Sequence, residues 1–229
     1  MNTLEITPDT VAAASPLRGL IGPCLRGAVF VALLTGLVYP LLTTGVAQML
    51  MPRQAGGSLI ERGSALIGSD LIGQHFSDAR HFHPRPSATS APDPQDASKT
   101  VAAPYNAALS AGSNQGPTNQ ALIDAVTQRV ADYRKTNGLG STAPVPVDAV
   151  TASASGLDPH ISVANAQAQV GRVAKARGIP LEQVQQFLSQ HTEGRVLGLL
   201  GEPRVNVLRL NLALNAAFPG VQQAQPATK

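Results

Sequence analysis

Between Arg26 and Arg53 the chain carries no charged residue. This run, residues 27–52, is 26 residues long. A helix needs about 20 mostly apolar residues to cross a bilayer core of roughly 30 Å. A secretory signal has an apolar region of only about 7–15 residues and then a small-x-small cleavage site. The run is too long for that and no Ala-x-Ala follows it, so the pattern predicts a retained single-pass anchor over residues 25–52. Within it Ala28, Ala32, Gly36, Pro40 and Thr44 recur every four residues and form one narrow, slowly drifting stripe. Small stripes let helix backbones approach closely in lipid; a plain apolar tether with incidental small residues is the alternative. Pro40 removes one backbone hydrogen bond and predicts a kink, with Thr43, Thr44 or a neighbouring helix satisfying the freed carbonyl.

Beyond the anchor the periodicity changes. Gly56 and Gly57 are expected to break the helix. The aliphatic pairs Leu59/Ile60, Leu66/Ile67 and Leu71/Ile72 then alternate with Gly63, Gly68 and Gly73, which predicts brief strands or turns. Residues 84–104 hold Pro84, Pro86, Pro92, Pro94 and Pro104 among small polar residues and read as a surface excursion or a disordered insert. From 119 to 137 the apolar spacing is helical, with Leu122, Ile123, Val126, Val130 and Tyr133 on one face. Thr118 or Asn119 can cap that helix and Gly138 ends it. Residues 144–147 alternate Pro and Val and predict extended chain. A second helix is expected over 163–177, capped by Ser162 and stopped by Gly178, with Ala166, Val170, Val173 and Ala174 inward. A third begins near Pro180 and buries Leu181, Val184, Phe187 and Leu188 before Gly194. Residues 204–214 fit either a bulged strand or an extended start passing into a helix. The expected architecture is an N-terminal tail (1–24), the anchor (25–52), a mixed α/β domain of α+β class (53–218) with a flexible insert near 88–104, and a disordered tail (219–229).

Charge narrows the function classes. Of 229 residues only 14% are charged, the net charge is +3, aromatics are 3% and Trp is absent. There is neither a dense basic block nor a stacking platform, so nucleic acid is a poor partner. Arg18 and Arg26 precede the span while Arg53 and Arg62 follow it, so charge does not decide orientation. The bulky part is C-terminal, and large domains translocate largely regardless of charge. The only cysteine, Cys24, lies before the span, which suits a large domain in an oxidising exterior. The expected topology is N-terminus in the cytoplasm and domain outside.

Candidate chemistry is sparse. The chain has no G-x-x-x-x-G-K-[ST] loop, H-E-x-x-H helix or G-x-S-x-G elbow. His75, His81 and His83 with Asp78 are the nearest approach to a metal cluster, although histidines in such a polar segment are more often solvated or hydrogen-bonded. Ser153, Ser155, Asp148, Asp158 and His160 hold the ingredients of a nucleophilic triad. The same Ser, Gly and Asp-Pro residues also build turns, and Asp158 can bind backbone amides ahead of the helix after Ser162. The stretch AGSNQGPTN (111–119) offers amides that could cradle an anion, or simply a capped helix entry.

Several stretches together resemble the C subunit of the bacterial Kdp complex, the high-affinity potassium-transporting P-type ATPase. They are GSDLIGQHF (68–76), FHPRPSA (82–88), YN (105–106), SNQGPTN (113–119), PVPVDAVTASASGLDPHIS (144–162), RVAKARG (172–178) and GEPRVNVLRLNLAL (201–214). They follow one N-terminal span in the family's order, so the resemblance covers about residues 25–215. His81 and Pro84 depart from the aromatic and the glycine that flank the family's Phe-His pair, and residues 90–103 and both tails look peculiar to this chain.

The resemblance implies an accessory subunit of the bacterial inner membrane with a periplasmic domain and no catalytic or metal-binding residues of its own. Its implied partners are a channel-like potassium-translocating subunit, a P-type subunit that hydrolyses ATP through an aspartyl phosphate, and membrane lipid. The family is also described as a chaperone that raises the hydrolytic subunit's ATP affinity. The topology puts the domain across the membrane from cytoplasmic ATP, so ATP stands only as a family label and no cofactor is expected. The residues expected to dock partners or shape the motif are Arg85, Pro86, Ser87, Asn106, Ser113, Asn114, Gly116, Pro117, Thr118, Asn119, Ser153, Gly156, Asp158, Pro159, His160 and Ser162. The competing readings are a membrane-tethered extracytoplasmic hydrolase using Ser153 or Ser155 with His160, and a tethered ligand-binding module.

Overall fold

The computed structural model describes residues 16–219; the expectations for both extreme tails fall largely outside them. The chain divides after Gly57 into two compact units. The first holds α1 (Pro16–Leu33), a π-helical turn (Leu34–Val38), α2 (Tyr39–Leu50) and the short α3 (Pro52–Ala55). Residues Gly19–Leu50 form the one helix among the described residues that is long and apolar enough to cross a membrane, and none of it is buried within the chain. Helix therefore begins inside the segment expected as a tail. Pro16 opens it, where a missing N–H costs nothing. The anchor helix breaks first at Met51, and the short α3 then stops at Gly56, as expected of the glycine pair. Met51 precedes Pro52 and leaves the helical region at φ −140° and ψ 60°, as the proline ring requires.

Pro40 has a local consequence. The π turn sits immediately before it, and the Tyr39 amide bonds back to the Leu34 carbonyl. A wider turn accommodates a ring that cannot donate. Thr43 Oγ1 donates to the Tyr39 and Pro40 carbonyls at 2.8 and 3.1 Å. That differs from the expectation that it would serve the carbonyl freed four residues before Pro40.

The second unit is an α+β domain. Strands β1 (Leu59–Arg62) and β2 (Ala65–Ser69) form an antiparallel hairpin that turns at Gly63 with φ 63°. Leu71 and Ile72 add no strand, only a bridge from Ile72 to Ser69. Within the proline-rich segment, β3 (Ser90–Pro92) and β4 (Thr100–Ala102) pair as a second hairpin, so ordered structure occupies the stretch read as an excursion or insert. Helix α4 (Gln120–Asn137) is capped by Asn119 and closed by left-handed Gly138. It contributes no fully buried residue, and Ile123 is 45% exposed because the inward stripe runs through Leu122, Val126, Val130 and Tyr133. The Pro-Val stretch passes into a short helix, α5 (Val147–Val150).

Next come β5 (His160–Ser162), α6 (Val163–Arg177), α7 (Leu181–Gln190), β6 (Thr192–Glu193), β7 (Arg204–Asn206) and α8 (Val207–Ala217). The three strands form an antiparallel sheet in the order β5-β7-β6. Residues 204–214 thus follow the second of their two readings: Asn206 ends the strand and its side chain accepts the Arg209 amide at 3.1 Å, which caps α8. Ala166, Val170, Val173 and Ala174 of α6 are buried as the spacing predicts. They meet Val184 and Leu188 of α7 and Leu208, Leu210 and Leu214 of α8 in one core that also encloses Phe82 and Ile161. Leu181, expected inside, is 43% exposed.

Candidate functional site

Two side-chain amides hold the segment around Phe82 as a neighbouring strand would. Asn211 of α8 accepts the Phe82 amide at 2.8 Å and donates to its carbonyl at 2.9 Å. Gln169 of α6 does the same for His83, at 2.7 and 3.1 Å. Arg172 donates to the Ala79 and His81 carbonyls at 2.6 and 2.9 Å, and Arg177 to the Arg80 carbonyl at 2.6 Å. Burial lowers the pKa of Arg172 to about 10, and carbonyl dipoles rather than a carboxylate hold the cation. Asp70, buried, receives a two-pronged bond from Arg209.

This frame presents Arg85, Ser87 and Tyr105 to the loop 151–160. Arg85 Nη1 donates to Asp158 Oδ2 at 3.0 Å, and the other Asp158 oxygen accepts the His160 amide at 2.9 Å. Burial works to raise the Asp158 pKa, but the hydrogen bonds from His160 and Arg85 outweigh it and hold the carboxyl below its ordinary value. Ser87 Oγ donates to the Gly156 carbonyl at 2.7 Å and accepts the Tyr105 amide at 3.0 Å. Asn106 ties the same turn to the Ser90 carbonyl at 2.8 Å. Gly156 has φ 68°, and a Cβ there would lie 2.6 Å from the Ala111 carbonyl and from Thr89 Cγ2. Only glycine fits.

From this crossing a chain of ionisable side chains runs over the sheet. His160 lies 3.5 Å from Asp158 and 3.6 Å from Glu193. Glu193 lies 3.2 Å from Arg204 and 3.5 Å from Arg209. The chain joins Arg85 to Asp70.

Residues 21–216 match the family described as K+-transporting ATPase, c chain. The chain belongs to that family. It is 58% identical over 197 residues to the potassium-transporting ATPase KdpC subunit of Rhodopseudomonas palustris strain BisB18, covering 86% of this chain and 98% of that one. The relatives of the same name from Bradyrhizobium diazoefficiens and Methylobacterium nodulans are 57% and 56% identical, over 86% and 84% of this chain and 96% and 94% of theirs.

Within this member of the family the triad ingredients do not assemble. Asp148 accepts both the amide and the hydroxyl of Ser162 at 2.8 Å, fixing the start of α6. Ser155 Oγ accepts the Leu157 amide. Ser153 Oγ is buried without a hydrogen-bond partner. None of the described hydrogen bonds links a serine to His160, and Pro159 serves the frame by accepting the Val207 amide at 2.9 Å. Of the remaining expected residues, Pro86 flanks the crossing, whereas Ser113, Asn114, Gly116, Pro117, Thr118 and Asn119 are exposed along the entry to α4. The stripe Ala28, Ala32, Gly36, Pro40 and Thr44 is also exposed, and a side chain at Gly36 would meet nothing within 4 Å.

The histidines serve the frame too. His83 Nε2 lies 3.0 Å from the Asp78 carbonyl and His81 Nε2 3.3 Å from Asn215 Oδ1. Among the described residues no group of three or more His, Cys, Asp or Glu side chains could hold a metal ion. A cleft of about 500 Å³ lies beside α4, lined by His83, Arg85, Tyr105, Arg129, Asp132 and Tyr133 among others. Sequence reasoning passed over Gln169, Asn211, Asp70 and Arg209. A polar residue inside an otherwise apolar helical stripe, as at 169 and 211, was the available signal.

Proposed function

We propose that this chain is the accessory, non-catalytic subunit of an ATP-driven potassium uptake pump of the bacterial inner membrane. Its single span is the anchor, and residues 58–219 lie on the extracytoplasmic side. The observation that carries the reading is the family match over 21–216, with relatives covered almost end to end whose names say potassium-transporting ATPase. The site supports a docking role. The loops around Asp158 are cross-tied through side chains and backbone, and among the described residues no serine hydroxyl is bonded to His160. Such a surface supplies a rigid shape and oriented polar groups for a partner, and without a serine bonded to His160 it lacks an activated nucleophile.

The partners in this reading are a channel-like potassium-translocating subunit and a P-type subunit that hydrolyses ATP. The chain holds no nucleotide of its own. Any effect on ATP affinity passes through the assembled complex, because the domain faces away from the cytoplasm. Copurification tests this directly. A tagged chain expressed with its two partners should bring both out of detergent extracts, and cells lacking it should fail to grow at low potassium. Elution of the tagged chain alone from membranes that contain both partners would overturn the proposal.

A further inference from the structure

Residues 79–83 cross α6 and α8 as a strap fastened by side chains. All five of its carbonyls accept from side chains: those of Ala79 and His81 from Arg172, that of Arg80 from Arg177, that of Phe82 from Asn211 and that of His83 from Gln169. The one backbone–backbone bond described for the strap is local, from the His81 amide to the Asp78 carbonyl at 3.0 Å. Phe82, wholly buried, pins its middle in the core. Two of the four fastening side chains, Arg172 and Arg177, are cations.

The two histidines of the strap sit among those cations. His81 Nε2 donates to Asn215 Oδ1 at 3.3 Å, and Arg177 Nη2 donates to the same oxygen at 2.7 Å. Its ring packs on Phe76 at 5.3 Å between centroids, and its Nδ1 is buried without a hydrogen-bond partner. A proton taken up at Nδ1 creates a buried N–H with no acceptor, facing Arg177 and Arg80. His83 Nε2 already donates to the Asp78 carbonyl at 3.0 Å, and its ring faces Arg172, His75 and His81. Asp78 is the carboxylate that His81 faces, and Arg80 engages both of its oxygens. A proton on either ring therefore adds positive charge beside the guanidiniums that hold the strap down. Burial and these cations keep both imidazoles below their ordinary pKa, His83 at about 4.

We propose that residues 79–83 are an acid-release latch for the surface around Asp158: proton uptake by His81 and His83 lifts the strap from α6 and α8 and frees the loops it positions. Pro84 alone separates the strap from Arg85. The bond of Arg85 to Asp158, with that of Ser87 to the Gly156 carbonyl, grips the loop 151–160, so a lifted strap loosens that grip. The latch rests on the docking reading under Proposed function, in which the domain faces an exterior whose pH can fall. The closed strap binds these protons less tightly than the open one, so the closed form loses ground as pH drops below 6.5. With the His83 pKa at 6.5 when open and about 4 when closed, the opening equilibrium rises roughly 20-fold between pH 7 and pH 5.

Amide hydrogen exchange on the full chain in detergent tests the latch, with rates corrected for the intrinsic effect of pH on exchange. The Phe82 and His83 amides, held by Asn211 and Gln169, should exchange roughly 20-fold faster at pH 5 than at pH 7, while the amides of α7 keep their rates. Strap rates that do not change with pH, or an equal rise in α7, would overturn the latch, and neither result needs a variant. In the double variant His81→Gln/His83→Gln the acceleration should disappear, with unchanged α7 rates showing that it is folded; an equal acceleration there would overturn the role of the histidines. A second measurement reaches the surface. Tagged wild-type chain carrying its partners at pH 7 should release them in a pH 5 wash, and the double variant should keep them. Equal retention or equal release by the two chains would overturn the link to docking. Absence of partners already at pH 7 would overturn the docking reading alone, and the exchange rates then decide the latch by themselves.

Discussion

Asp158 sits where three loops cross, and its charge serves the His160 amide and Arg85 at once. Asp158→Asn keeps the shape and part of the bonding, so it should be milder than Asp158→Ala, which leaves partly buried donors unmet at roughly 1–3 kcal/mol. Denaturation midpoints of the full chain in detergent separate the two. ATPase rate per purified complex should stay near wild type for both variants; a collapse at full assembly would reopen a chemical role for the loop. Glycines at two positions should respond in opposite directions. Gly156→Ala, with φ 68° and a carbonyl 2.6 Å from the new carbon, should lose about 2 kcal/mol or more, whereas Gly171→Ala, on the open face of α6, should gain roughly 0.5–1 kcal/mol.

Acid should act on this domain in two windows. Burial and the nearby Arg172 charge lower the His83 pKa from 6.5 to about 4. The unfolded chain therefore takes up the proton first, and stability falls as pH drops from about 6.5 to about 4. His83→Gln should remove its share of that slope and leave the part due to His81, whose pKa burial and Arg177 also lower. The contribution of Asp158, whose folded pKa is depressed, is present above the unfolded carboxylate value and is lost as pH falls through the folded one.

At the scale of elements, α6 and α8 act as strand substitutes. Each supplies one amide side chain that completes both hydrogen bonds of a residue in the 82–83 segment. Asn211→Leu keeps the branched side-chain shape but leaves the Phe82 N–H and C=O buried and unpaired, at about 1–3 kcal/mol for each group. It should lower the thermal midpoint more than Ile123→Ala, whose side chain is 45% exposed. The anchor has its own device. A four-residue spacing overshoots an α-turn of 3.6 residues by about 40° per step. The wider π turn between Ala32 and Pro40 works against that drift and keeps the small residues nearer one face. Gly36→Leu should therefore weaken recovery of the assembled pump, while Leu41→Phe, off the stripe, should not. Equal recovery of the two variants would leave the plain tether standing.

For the molecule as a whole, the orientation of residues 58–219 decides which partners the Asp158 surface can meet. Cys24 is the only cysteine and is exposed, so Cys24→Ser gives a clean background. Ser141→Cys in that background should react with an impermeant maleimide in intact cells whose outer membrane is permeable. Reaction only after lysis would place the domain in the cytoplasm and remove the argument against direct nucleotide contact.

What the sequence determined by itself was whatever depends on near neighbours. An uncharged run of membrane length, the caps Asn119 and Ser162, the left-handed stops Gly138 and Gly178, and the inward face of α6 are all settled within a few residues. The family was legible for the same reason, because its motifs are short and occur in order. The tertiary structure alone decided what depends on distant partners. Asp70 meets Arg209 across 139 residues and Phe82 meets Asn211 across 129, and no local periodicity carries such pairings. The serine and histidine of the 151–160 loop were equally undecidable. Their types fit a triad, but their roles followed from which carbonyls, amides and carboxylates the fold brought within about 3 Å of them. Ile123 and Leu181 erred in the other direction: spacing gave each an inward face, and the fold packed no element over it.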